Sequence, residues 1–125
     1  MSRPVAQPAP RPAAVLTKSL LRACGLLDIP AGTLARILGV SEASVSRLAS
    51  GARHVDPASK EGELALLLIR VYRSLDALVG TDSAQRKAWM ESYNHRLNGR
   101  PIELIERAEG LAAVVSYLDA MRAPA

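Results

Sequence analysis

The sequence has few of the residues that build β-sheets, disulfides or metal sites. Its 125 residues include no phenylalanine, one tryptophan, three tyrosines and a single cysteine, Cys24. One cysteine cannot form a disulfide within the chain, and with only two histidines it cannot complete an ordinary zinc site. Apolar residues make up 49% of the chain but rarely alternate with polar ones as they do in strands. Because most of them are leucine, alanine, valine and isoleucine, we predict an all-α fold.

Long apolar runs are scarce as well. The longest, residues 64–69, is far shorter than the roughly 20 residues that cross a bilayer. The N-terminus is rich in proline and lacks the apolar segment of a secretory signal. We therefore expect no membrane partner, a cytoplasmic location, and a buried, unreactive thiol at Cys24.

Groupings of catalytic side chains are hardly present either. His54 and His95 lie far apart in the sequence, and neither belongs to a recognised catalytic motif. We therefore expect that the chain is not an enzyme and uses no cofactor and no metal.

The charges are unevenly distributed. The first 55 residues contain seven Lys or Arg against two Asp or Glu, whereas the remaining residues contain nine against ten. The basic excess in the first half is typical of a protein that binds a polyanion such as DNA. A basic face that is merely solvated is the other interpretation.

Residues 31–50, AGTLARILGVSEASVSRLAS, have the pattern of a helix-turn-helix. Two short helices that cross tightly need a small residue in the first helix, a flexible one in the turn and a branched apolar one in the second. Ala35, Gly39 and Val45 supply them. The apolar residues that would face inward are Leu34, Leu38, Val40 and Leu48. This density of matches favours DNA binding over an αα-hairpin that only packs.

In the DNA-binding interpretation, the second helix of the motif lies in the major groove. Arg47 is the best base-reading candidate, because its guanidinium can bind guanine O6 and N7 together. The outward residues of this helix are Glu42, Ala43, Ser46, Arg47 and Ser50. The residues expected to contact the DNA backbone are Thr33, Arg36, Ser41 and Arg53. Because this base-reading set is small, we expect a homodimer that binds two half-sites of a palindromic operator.

Apolar spacing and helix-end signals predict further helices around the motif. They cover residues 14–27, 57–79, 82–97 and 101–107, and a last helix begins at residue 111. Ser41 is a candidate cap for the second helix of the motif, and Asp56 and Asp82 for two later helices. The third of these helices is expected to turn Ala88, Trp89, Tyr93 and Leu97 inward.

This pattern divides the chain into three parts. Residues 1–13, rich in proline, are expected to form a disordered arm, residues 14–56 a DNA-binding domain, and residues 57–125 a helical C-terminal domain. The long helix at residues 57–79 has a broad apolar stripe. It could join the two halves of the chain or bury a partner chain.

The second half resembles the C-terminal domain of the Xre/MbcA/ParS family of antitoxins. The resemblance covers roughly residues 59–122. It is carried by Trp89, Asn94, the run LNGRPIELI at residues 97–105, and then Gly110, Val114 and Leu118. An Xre-like helix-turn-helix before this domain is the usual companion in that family.

The resemblance implies an antitoxin of a type II toxin-antitoxin system. Its C-terminal domain would bind and occlude a RES-domain toxin that consumes NAD, and its helix-turn-helix would repress the operon that encodes both proteins. Either a homodimer or a larger toxin-antitoxin hetero-oligomer would result. The candidate toxin-binding residues are Arg100, Tyr117, Asp119, Met121 and Arg122.

Two other functions remain open from the sequence. One is a free-standing helix-turn-helix transcriptional regulator whose C-terminal helices only dimerise or bind an effector. The other is an adaptor that has lost DNA binding. A stable complex with a toxin separates the antitoxin from the regulator, and salt-sensitive affinity for duplex DNA separates both from the adaptor.

Overall fold

The computed structural model describes residues 11–123, and this part of the chain is all-α, as predicted. It contains seven helices, and its only β-type pairing is an isolated bridge between Asn94 and Gly99. The helices are α1 (Arg11–Leu26), α2 (Ala31–Leu38), α3 (Glu42–Ser50), α4 (Lys60–Val79), α5 (Ser83–Glu91), α6 (Pro101–Leu104) and α7 (Ala108–Arg122). No helix in residues 11–123 combines the length and the apolarity that crossing a bilayer requires.

The first helix begins three residues earlier than predicted. Pro12 lies in its first turn, where a missing N–H removes no helical hydrogen bond, so the proline does not delay the helix to residue 14. The rest of the predicted disordered arm, residues 1–10, lies outside the described residues.

The helix-turn-helix forms as its residue types predict. Ala35 and Val45 are buried where α2 and α3 meet. Gly39 ends α2 with a φ of 72°, a left-handed conformation that a Cβ would disfavour. Ser41 begins the next helix, because its Oγ accepts a hydrogen bond from Ser44 N at 3.1 Å.

The longest helix, α4, joins the two halves of the chain. It packs against α1 and α2 of the helix-turn-helix part and against α5 and α7 of the C-terminal part. Buried apolar residues from both parts belong to one core, in which Leu68, Val71 and Leu75 of α4 are completely buried. Of the two roles left open by the sequence, α4 therefore fills the first: it connects the two halves.

The start of α4 differs from the prediction. Asp56 and Pro57 form a turn before the helix, and the cap is Ser59, whose Oγ accepts from Gly62 N at 3.0 Å. This turn folds over the first helical turn, so that a Cβ on Gly62 would lie 2.2 Å from Asp56 O. The glycine therefore permits a close backbone approach that moves the start of the helix to Lys60.

The fifth helix is shorter than predicted. Asp82 caps it as expected, by accepting from Ala84 N and Gln85 N. It ends at Glu91 and not at residue 97, because Asn94 and Gly99 pair through their backbones and close a turn.

The inward face of α5 also differs from the prediction. Ala88 and Tyr93 are exposed, and Trp89 and Leu97 are half-buried. Its buried residues are instead Arg86 and Met90.

The last two helices meet at a tight backbone contact. Pro101 starts α6, which has a single turn, and α7 begins at Ala108, three residues before the predicted start. Gly110 was expected to separate the helices but lies in the first turn of α7. A Cβ there would lie 2.1 Å from Leu104 O. The absent side chain thus allows α7 to start directly against the end of α6.

Candidate functional sites

The outer face of α3 is polar and exposed. Val45 and Leu48 point into the core, and the opposite face carries the residues predicted to read DNA. All five of these are exposed: Glu42, Ala43, Ser46, Arg47 and Ser50. A short helix whose inner side is fixed by two buried apolar residues and whose outer side is free has the geometry of a recognition helix.

The side chains on this face are held by local hydrogen bonds. Arg47 Nη2 donates to Ser44 Oγ at 3.1 Å, and Ser50 Oγ donates to Arg47 O at 3.2 Å. Ser44 Oγ in turn accepts from or donates to Ser41 Oγ at 3.3 Å. These bonds join residues three positions apart on the exposed surface, where a DNA base or phosphate can replace them at little cost.

Arg36 lies next to this face, at the surface of α2. Its Nη1 and a carboxylate oxygen of Glu42 both come close to Gly32, 3.7 Å and 3.4 Å from where a Cβ would stand. Its Nε donates to a carboxylate oxygen of Glu106, which lies 70 residues later in the chain. A guanidinium of the DNA-binding half is therefore bound by a carboxylate of the C-terminal half.

Two of the predicted phosphate contacts are not positioned as expected. Thr33 is only 8% exposed, and its Oγ1 accepts a hydrogen bond from Arg36 Nη2 at 3.3 Å. Arg53 makes a two-pronged ion pair with Glu61, at 2.6 Å and 2.7 Å. The hydrogen bond from Glu61 raises the pKa of the Arg53 guanidinium, so its charge is committed within the fold. Of the four predicted backbone contacts, Arg36 and Ser41 are exposed.

The end of α7 carries an aromatic and apolar surface. Tyr117 is half-buried and stacks on Trp89 of α5, with ring centroids 6.3 Å apart and an angle of 27° between the planes. One turn further along the same side of the helix, Met121 is 56% exposed. An exposed methionine beside a stacked aromatic pair is a composition common in protein-binding surfaces.

Two other predicted toxin-binding residues hold α7 against α4. Asp119 accepts from Ser74 Oγ at 3.0 Å and also from Arg70 Nη2. Arg122 Nη1 donates to the same Ser74 Oγ at 3.0 Å. The buried serine hydroxyl therefore both donates and accepts, and it links the carboxylate to the guanidinium.

Arg100 is fixed at a separate place. It precedes Pro101 at the start of α6, its Nε donates to Glu91 O at 2.6 Å, and its Nη1 donates to Glu103 Oε1 at 3.3 Å. The backbone around it is held by the Asn94 and Gly99 pairing. The five predicted toxin-binding residues thus divide into an exposed α7 surface, an α4–α7 network and the turn before α6.

One important residue was missed in the sequence. Arg86 of α5 is 5% exposed, its Nε donates to Leu26 O at 3.0 Å, and its Nη1 lies 3.6 Å from Asp76 Oδ1. Its guanidinium also lies 5.9 Å from the centre of the Tyr72 ring. It therefore connects the end of α1 with α4 and α5. No local pattern indicates this role, because the carbonyl that it binds is 60 residues away.

Reactive groups in the described part of the chain are isolated. Burial raises the pKa of the Cys24 thiol to about 12, which keeps it protonated and unreactive at neutral pH. His95 packs edge-on against Tyr93, with ring centroids 5.1 Å apart. Within residues 11–123 no group of three or more His, Cys, Asp or Glu side chains is arranged to hold a metal ion.

Comparisons with known protein families give two matches. Residues 6–70 match the family model described as the antitoxin Xre-like helix-turn-helix domain. Residues 74–123 match the one described as the antitoxin Xre/MbcA/ParS C-terminal toxin-binding domain. No curated protein matches the chain. The first match alone spans more than half of the 125 residues, and the boundary between the two falls within α4.

Proposed function

The chain belongs to the Xre-like antitoxins with an Xre/MbcA/ParS toxin-binding domain, and from this we propose that it occludes an NAD-consuming RES-type toxin and represses its own operon. We assign DNA binding to residues 14–56 and toxin binding to residues 57–125. Both activities are proposed to work by surface complementarity, without chemistry by the antitoxin itself.

The exposed face of α3 is the observation that carries the DNA-binding part. Arg47 is the proposed base-reading residue, and Glu42, Ala43, Ser46 and Ser50 line the same helix face. Arg36 and Ser41 are the proposed phosphate contacts, because both are exposed beside the start of α3. We omit Thr33, which is buried, and Arg53, which is bound to Glu61.

A homodimer is part of the proposal. One α3 helix offers a single long base-reading side chain, so a single copy would discriminate weakly between sequences. Two copies related by a two-fold axis would bind two half-sites of a palindromic operator and combine their affinities.

The toxin-binding part is proposed to centre on the α7 surface. Met121 and Tyr117 supply exposed apolar and aromatic area, and such residues often dominate the binding energy of protein interfaces. Arg100 offers a guanidinium held at a fixed turn. Asp119 and Arg122 support α7 from the α4 side, and we propose that they reach the toxin from its edge.

The toxin part is tested with the protein encoded next to the antitoxin. A RES-type neighbour should lower cellular NAD when it is expressed alone, and co-expression of the antitoxin should restore the NAD level and give a stable complex on purification. A chain that purifies without any such partner, and leaves NAD depletion unchanged, would instead favour the free-standing regulator.

The DNA part is tested with Arg47→Ala and the duplex upstream of the antitoxin gene. Loss of one base-reading arginine costs about 1 to 3 kcal/mol, so operator affinity should fall on the order of 5- to 150-fold. Toxin neutralisation should not change. Lys87→Ala, which removes one exposed positive charge from α5, is the control and should leave operator affinity nearly unchanged. Unchanged operator binding by Arg47→Ala would contradict the assignment of α3 to the groove.

A further inference from the structure

An apolar groove lies between α1 and α4, separate from the α3 face and from the α7 surface. Its walls are Val15 and Leu16 of α1 and Leu66 and Ile69 of α4, and its volume is about 440 Å³. Val15 is 53% exposed and Leu66 is 48% exposed. They are two of the five large apolar side chains that are exposed in residues 11–123. Adjacent exposed apolar residues on a soluble surface often mark a protein-binding site.

The charges beside the groove change sign along α4. Glu63, Leu66 and Arg70 follow one another at helical spacing on the outer side of α4, and all three are exposed. At a rise of about 1.5 Å per residue, Glu63 lies about 4.5 Å before Leu66 and Arg70 about 6 Å after it. The apolar residue therefore lies almost midway between a negative and a positive charge.

We propose that this groove is where two copies of the chain meet, with their α4 helices antiparallel across a two-fold axis at Leu66. In this arrangement each Glu63 lies opposite Arg70 of the second copy, and the two Leu66 side chains pack on each other beside Val15. A parallel arrangement would place Glu63 on Glu63 and Arg70 on Arg70. The charge pattern thus complements itself only in the two-fold antiparallel case.

This surface rests on the proposed function for its occupant, because reading two half-sites requires two helix-turn-helix units. The groove also has a suitable position for that purpose. It is built from α1 and α4, the two helices that pack together beneath the helix-turn-helix. Contact through these rigid helices would fix the distance between the two α3 helices, as operator half-sites of fixed spacing require.

The test is sedimentation equilibrium of the full chain and of Leu66→Glu. The wild type should be a dimer of 13.3 kDa chains at micromolar concentration. Leu66→Glu should raise the dissociation constant of the dimer at least about 30-fold, since it places two carboxylates on the axis. Leu78→Glu makes the same change at another exposed leucine of α4, 38% exposed, and should stay within about threefold of wild type. Circular dichroism establishes that both variants are folded.

A second variant tests the charge pattern. Glu63→Arg replaces two attractive pairs by two repulsive ones and should weaken the dimer about tenfold at low salt, with a smaller effect at high salt. Glu109→Arg makes the same charge change at an exposed position at the start of α7 and should not alter the dissociation constant.

The outcomes distinguish this surface from the proposed function. A wild-type chain that is monomeric at all concentrations, or a Leu66→Glu variant that dimerises as tightly as the wild type, overturns the surface. Loss of toxin binding by Leu66→Glu with an intact dimer would assign the groove to the toxin and also overturns it. A chain that dimerises through Leu66 but neutralises no toxin overturns the proposed function alone.

Discussion

The two halves of this molecule treat their polar side chains differently. On the α3 face, Ser44 and Arg47 bond only to residues three positions away, and they remain at the surface. In the C-terminal half, Ser74 binds Asp119 and Arg122, which lie 45 and 48 residues further along the chain. The first half therefore presents its polar groups to a ligand, while the second uses many of them to hold its own helices together.

The two halves nevertheless share one core. One side of α4 packs against α1 and the other against α7, so neither half can lose its packing without exposing apolar area of the shared helix. The halves differ in surface chemistry but should unfold as one cooperative unit. Each prediction below tests how far this difference and this unity extend, beginning with the largest effect.

The largest effect is expected from Gly110→Ala in the C-terminal half. The added Cβ would lie 2.1 Å from Leu104 O, a backbone atom that cannot turn aside. We expect the free energy of unfolding to fall by about 3 kcal/mol or more, as for severe overpacking. Because the core is shared, urea unfolding should still be a single transition, with the helix-turn-helix melting at the same concentration as α7.

Gly25→Ala in α1 is the matched control. A Cβ there meets nothing within 4 Å, so the change should stabilise the chain by up to about 1 kcal/mol through helix propensity. Two separate urea transitions in Gly110→Ala would show that the halves fold independently, against the shared core.

A smaller effect is expected from Arg86→Ala, which removes the buried link between the halves. The change leaves Leu26 O and Asp76 without their partner, and it should cost about 2 kcal/mol of unfolding free energy. Amide hydrogen exchange should quicken most at the end of α1 and in α5. Lys87→Ala changes the exposed neighbour and should stay within about 0.5 kcal/mol of the wild type. Equal effects of the two variants would show that Arg86 links nothing.

The same difference between the halves explains what could be predicted from the sequence. The helix-turn-helix follows from local rules, because the residues that decide it, such as Ala35, Gly39 and Ser41, lie within ten positions of one another. The exposed α3 face follows from them by helical periodicity. Arg53 shows where this reasoning ends, since an acidic partner eight residues away binds it.

The C-terminal half was harder to predict for the same physical reason. Helical spacing continues through Leu97, but the pairing of Asn94 with Gly99 ends α5 earlier, and no periodicity indicates that turn. The candidate residues Asp119 and Arg122 are chemically suited to bind a partner. Their bonds to Ser74 depend on how α7 lies on α4, which only the tertiary structure reveals.

The smallest effect concerns the ion pair between Arg36 and Glu106, the exposed contact that joins the DNA-binding half to the C-terminal half. DNA phosphate and Glu106 compete for the same guanidinium. Glu106→Gln should therefore raise operator affinity about two- to fivefold at low salt, since an exposed ion pair contributes at most about 1 kcal/mol. The gain should shrink as salt rises and screens the pair.

Removing any negative charge would also favour DNA, so the control must match the charge. Glu109→Gln makes the same change in the same half, at an exposed residue of the first turn of α7, and should raise affinity less. In an Arg36→Ala background the two substitutions should become equal, because Glu106 then has no guanidinium to hold. If Glu106→Gln keeps its advantage in that background, the carboxylate acts on DNA directly and the contact between the halves does not restrain binding.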